Sequence, residues 1–174
     1  MQNEETSILG NYYETQKFNK WWMRLIFIVP VSFTLYGILD NSIHQPVGWQ
    51  IVIAPIIIAA VGVLFYFINL ETRIDEMGIT IRFFPFQRVY YFVKWEEIET
   101  CAIRKYKPIM EYGGWGLRYS FTNGKAYNIA GKKGLQLNLK SGKKFLIGTQ
   151  NAIELDAFLQ RLKEEKGISC IASK

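Results

Sequence analysis

The chain has 174 residues, a formal net charge of +6, and 49% hydrophobic and 16% aromatic residues. It is too apolar and too aromatic for a disordered chain, and its two cysteines are too few for a disulfide scaffold. The basic balance excludes an acidic solvating protein, and a mean hydropathy of +0.03 conceals two unlike halves.

Residues 1–20 read as an N-terminal segment. Residues 21–40 follow as a first apolar span, interrupted only by Arg24, whose long stem can carry its charge to a headgroup region. Residues 40–48 form a turn-rich linker containing His44, the sole histidine. The second span, residues 49–70 (WQIVIAPIIIAAVGVLFYFINL), belongs to a run from 41 to 70 without a single charged residue. Twenty-two helical residues reach about 33 Å, enough for a hydrocarbon core of about 30 Å. The pair predicts a transmembrane hairpin over 21–70. Trp21, Trp22, Arg24 and Trp49 are its expected interface anchors. Lys17, Lys20 and Arg24 on one flank and Arg73, Arg82, Arg88 and Lys94 on the other, against none in the loop, place both termini in the cytoplasm. The expected location is a bacterial inner or plasma membrane, with membrane lipids as partners. Pro30 and Pro55 suggest kinks.

Residues 71–166 read as one small cytoplasmic domain, with 167–174 as a tail. From Glu71 onward the chain carries 18 basic and 11 acidic residues, so all the positive excess lies here. Short extended runs flank Met77 and Gly78, and further runs cover 88–92 and 100–106 before Pro108. The aromatic segment 83–92, with Phe83, Phe86 and Tyr90 among its residues, is expected in the core. Residues 117–121 and 125–129 flank the turn signal Asn123-Gly124. Leu135, Leu137 and Leu139 alternate with Gln136, Asn138 and Lys140, the clearest strand in the chain. Ser141 and Gly142 turn into 143–147, where a bulge would exchange the faces of Phe145 and Leu146. A final helix begins at Asn151, with Glu154 completing a capping box. It presents Leu155, Phe158 and Leu162 on one face and ends at Gly167. About seven strands and one amphipathic helix predict a mainly β (α+β) unit, a small barrel or orthogonal sandwich capped by that helix.

Four pieces in order carry a resemblance: WEEI at 95–98, GGWGLR at 113–118, GLQLNLKSGK at 134–143 and IGTQ at 147–150. Together, behind an apolar hairpin, they resemble bacterial pleckstrin-homology-like domains. The resemblance implies a seven-stranded pleckstrin-homology-like barrel behind membrane spans. It implies no chemistry, because fold does not confer function.

The residues point to no catalytic, cofactor-binding or metal-ligating set. One histidine and two distant cysteines cannot supply a zinc site of ordinary spacing. No phosphate-loop or nucleophile-elbow motif is present. The glycines at 113, 114 and 116 read as a tight connection, and Glu96, Glu97 and Glu99 as solvated surface. Basic residues are the candidate surface: Arg104, Lys105, Lys107, Lys132, Lys133, Lys143 and Lys144. The turn at Glu76 carries an acid where pleckstrin domains place basic groups, which argues against tight inositol-phosphate recognition. The function expected is a non-enzymatic membrane-anchored module that binds a protein partner. Anionic lipid or small-ligand binding by the basic domain is the alternative. Nucleic acid is not an expected partner, and self-association is compatible with the chain.

Overall fold

In the computed structural model, residues 10–18, 28–32, 35–37 and 49–172 are described; of the side chains at 49–52, 54 and 55 nothing is said. The chain divides into two compact units, residues up to Lys17 with those from Asn69 onward, and residues 18–68 between them.

The intervening unit contains helix α1 (Trp49–Phe67), whose 19 residues carry no charge. Several of its apolar side chains, Ile56, Val63 and Phe67 among them, are exposed. Its side chains are described without interruption only from Ile56, over about 18 Å of helix. Among the described residues no helix is long and apolar enough to cross a membrane. This overturns the transmembrane hairpin and the integral-membrane location drawn from it. Two residues of the expected second span, Asn69 and Leu70, belong instead to a strand. Trp21, Trp22, Arg24 and the 40–48 linker lie outside the described residues, and Trp49 opens α1.

The larger unit is a mixed α+β structure with two sheets. The first has the order β1-β2-β3-β4, all antiparallel: β1 (Tyr12–Lys17), β2 (Asn69–Ile74), β3 (Gly78–Phe84) and β4 (Tyr91–Lys94). The β2–β3 turn is made by Asp75, whose Oδ1 accepts from the N–H groups of Met77 at 2.8 Å and Gly78 at 2.9 Å. A side chain at Gly78 would meet the Val93 carbonyl oxygen at 2.2 Å, so the close approach of β4 demands glycine. β1 was not foreseen. Its six residues have strand alternation, but Tyr12, Glu14 and Gln16 point inward, and two of the three are polar. No apolar pattern marks it.

The second sheet has the order β5-β8-β9-β7-β6: β5 (Ile98–Lys105), β6 (Gly116–Ser120), β7 (Gly124–Asn128), β8 (Lys133–Leu139) and β9 (Lys144–Gly148). β7 and β9 run parallel; the other pairs are antiparallel. A short 3-10 turn at Trp95–Glu97 joins the two sheets, and Trp95 Nε1 donates to the Asp75 carbonyl at 2.9 Å. A one-turn helix, α2 (Pro108–Tyr112), connects β5 to β6. Helix α3 (Ala152–Lys166) closes the unit.

The sheet leucines of β8 are buried as their alternation predicts. β9 is buried on both faces, because Phe145 stacks with Tyr127 while Leu146 packs with Tyr106, Tyr112 and Ala126. The choice between faces for Phe145 and Leu146 therefore does not divide core from solvent. On α3, Leu155, Leu159 and Leu162 are buried, and Phe158 sits at the margin against the Tyr12 ring, 5.7 Å between centroids. Asn151 occupies the N-cap but makes no side-chain capping bond; its own N–H donates to Thr149 Oγ1 at 3.1 Å. Gly167 ends the helix in the left-handed conformation, as predicted.

The expected seven-stranded closed barrel is corrected to two open sheets of four and five strands. The aromatic segment is not a core block. Phe83 is buried, but Phe86 and Val89 are well exposed and Tyr90, Tyr91 and Phe92 are partly so. They lie in a loop and on the edge strand β4, where only alternate residues can turn inward. The segment after Gly167 is not a free tail either. Cys101 N–H donates to the Cys170 carbonyl at 2.8 Å, and the Ala172 N–H donates to the Cys101 carbonyl at 3.0 Å. Ile171, 2% exposed, thereby pairs in parallel with Cys101 on the outer side of β5.

Candidate functional site

β5 is an edge strand, and antiparallel pairing directs its backbone groups alternately toward β8 and away from it. The tail bonds at Cys101 show that residue facing outward. Two and four positions on, Ile103 and Lys105 therefore turn their N–H groups to the same open side. Tyr106, one position out of phase, turns inward and donates to the Lys132 carbonyl at 2.9 Å. Among the described residues no strand pairs with β5 beyond Cys101 on that side.

The open stretch borders a cleft of about 360 Å³. Its floor is Ile103 and Leu159, its far wall is Ile153, Asp156 and Gln160 of α3, and Lys105 and Lys133 stand at one end. The C-terminal segment closes the other end, where Gln160 Nε2 donates to the Ala172 carbonyl at 3.0 Å. Ile153 is 83% exposed, an apolar side chain on the rim of the cleft beside an unpaired strand edge.

The seven basic residues singled out from the sequence do not form one surface. Lys105 and Lys133 are directly opposite each other on β5 and β8, and Lys132 precedes Lys133. All three are exposed, and none makes an ion pair or a side-chain hydrogen bond among the described residues. Arg104 lies on the opposite face of β5. There its guanidinium pairs with Glu111 at 2.8 Å and its Nε donates to Gln136 at 3.0 Å, so its charge is already committed. Lys107 is exposed and its backbone N–H donates to Glu111 at 2.7 Å. Lys143 and Lys144 lie at the β8–β9 turn, roughly 17 Å along β8 from Lys133. Lys144 Nζ there donates to the Thr122 carbonyl at 3.4 Å.

Burial and hydrogen bonding shift several titratable groups on and after β5. Burial pushes the Cys101 thiol far up, and the nearby Cys170 adds to this, so Cys101 is a poor nucleophile. Burial pushes the Tyr106 phenol up to about 12. Burial alone would raise the Glu111 carboxyl. Hydrogen bonds from Arg104 and from the Lys107 N–H, with the charges of both residues, outweigh it and hold the group below its ordinary value. Among the described residues no cluster of three metal-binding side chains occurs.

Sequence reasoning found Lys105 and Lys133 but missed the cleft beside them. Its parts are a strand edge, an exposed isoleucine and a tail, none of which leaves a motif. The only available signal was Ile153 in the first turn of α3, off the apolar face. No protein-family model and no curated protein matches the chain. The resemblance to pleckstrin-homology-like domains is therefore set aside: no model of that family matches, the sheets form no closed barrel, and no helix among the described residues is long and apolar enough for the hairpin it leaned on.

Proposed function

We propose that this protein is a non-enzymatic interaction module that binds an extended segment of a partner protein along β5. One observation carries the reading: the outward N–H groups of Ile103 and Lys105 have no backbone partner among the described residues and lie beside a cleft walled by α3. A strand edge of this kind supplies main-chain hydrogen bonds for affinity, and the adjoining cleft supplies contacts for alternate side chains. Such edges are normally blunted by charge, Pro or a covering element. Here, among the described residues, the C-terminal segment pairs with β5 at Cys101.

The reading is tested by site-specific photocrosslinking of the full chain in cells. A crosslinker at position 153 should give a discrete adduct, and one at position 121 should not. Phe121 is 98% exposed on the β6–β7 turn, away from the cleft. Equal yields at the two positions, or none at 153, would sink the reading.

A second reading rests on the unpaired ammonium groups of Lys105, Lys132 and Lys133. Three such groups around one cross-strand pair favour a small multivalent anion. Inorganic pyrophosphate would then bind the full chain with a steep salt dependence, and K132E/K133E would remove it. Heat of binding indistinguishable from the double variant's at low salt rules this out.

A further inference from the structure

We infer that the segment received by β5 carries an apolar side chain and a carboxylate two residues apart. This rests on the strand-binding reading above and specifies the partner's chemistry.

An added strand places every second side chain on one face, directly across from those of β5 at about 5 Å between Cβ atoms. On the α3 side of β5 those positions are Ile103 and Lys105, two residues apart. Opposite Ile103 the incoming side chain meets Ile103 itself and the exposed Ile153 of α3, so an apolar group gains by burial there. Opposite Lys105 it meets the ammonium groups of Lys105 and Lys133, which neighbour each other across the β5–β8 pair. Two like charges directly opposite destabilise a sheet, and nothing among the described residues neutralises these two. A carboxylate bound there relieves that repulsion, and a lysine there would compound it. Arg104 plays no part, because its charge is taken by Glu111 on the other face. Asp156 is the one carboxylate lining the cleft, on α3 between Ile153 and Gln160.

The test selects peptides from a random displayed library on the immobilised full chain. Hydrogen exchange of the Ile103 and Lys105 amides then shows whether the enriched peptides bind at this edge. The expected result is slowed exchange at both amides and an enriched pattern that places an apolar residue and Asp or Glu two positions apart. K105E/K133E should weaken the enriched peptide by about tenfold or more, while K143E/K144E leaves it unchanged. Replacing the peptide's acid by Lys should restore binding to K105E/K133E, a charge swap that loss of folding cannot mimic. Peptides that slow both amides with no acidic preference, and bind K105E/K133E as tightly as wild type, overturn the carboxylate inference and leave strand binding standing. Enriched peptides that leave both amides unchanged overturn both.

Discussion

The two sheets handle their exposed edge strands in opposite ways. β1, at the edge of the first sheet, is fastened by buried polar side chains. The Glu14 carboxylate accepts from Tyr12 Oη at 2.8 Å, Thr149 Oγ1 at 2.7 Å and the Gln150 N–H at 2.8 Å. Gln16 Nε2 donates to the Gly148 carbonyl at 2.6 Å. The strand is thereby tied to the end of β9 and the approach to α3. β5, at the edge of the second sheet, has among the described residues a covering segment at Cys101 alone, and Lys105 and Lys133 at its far end make no ion pair there. A fastened edge is part of the fold, and an unfastened one beside a cleft is free for a ligand strand. The contrast also explains why charge counting found the wrong extent of surface. Lys143 and Lys144 resemble Lys132 and Lys133 in sequence, but they do not line the cleft beside β5.

The sharpest way to break this contrast is at Glu14. Glu14→Ala leaves three donors at a buried site without an acceptor and should cost roughly 3 kcal/mol, read as a lower denaturant midpoint. A loss under about 0.5 kcal/mol would show β1 to be no more fastened than β5. Next, Ile171→Ala removes the side chain that seats the C-terminal segment and should cost about 2 kcal/mol. Exchange of the Cys101 amide should rise with it, while the β1 amides stay protected. Uniform acceleration across both edges would contradict the separation.

A smaller effect is expected from Glu111. Its carboxyl is held below the ordinary value in the folded state, so its contribution is fully present above the unfolded value of about 4.3 and is lost as pH falls through the folded one. The pair is partly exposed, which limits the contribution to about 1 kcal/mol or less. Stability measured across acidic pH should therefore fall less steeply in Arg104→Gln than in wild type; identical slopes would remove Glu111 from the account. Smallest of all, Ile153→Asp and Lys105→Gln should each move stability by less than about 0.5 kcal/mol, because both side chains are solvent-exposed. A large loss for either would make the cleft a structural element and not a binding surface.

Much of the second sheet is legible in the residues. Leu135, Leu137 and Leu139 announce β8 by alternation, and Asn123 with Gly124 announces the β6–β7 turn. Gly124 has φ of +76°, and a side chain there would meet the Lys144 carbonyl oxygen at 2.2 Å. Of the candidate site, Lys105 and Lys133 were legible as charges, but their pairing across two strands separated by 28 positions was not. The apolar run 41–70 has the length and hydropathy of a bilayer span only if helix continues to Leu70. Pairing of Asn69 and Leu70 with β1 and β3 ends it sooner.

The sequence by itself determined the local elements: hairpin turns, the β8 alternation, α3 and its glycine stop. These depend on backbone sterics and on side-chain periods of two and 3.6, which neighbours in the chain suffice to express. Only the tertiary structure decided three things: β1 as a partner for a strand more than fifty residues away, the C-terminal segment beside Cys101, and the separation of two lysine pairs onto opposite ends of β8. Each is a contact between distant residues, set by which backbone edges and buried polar groups must find partners, and such demands leave no periodic trace in the chain.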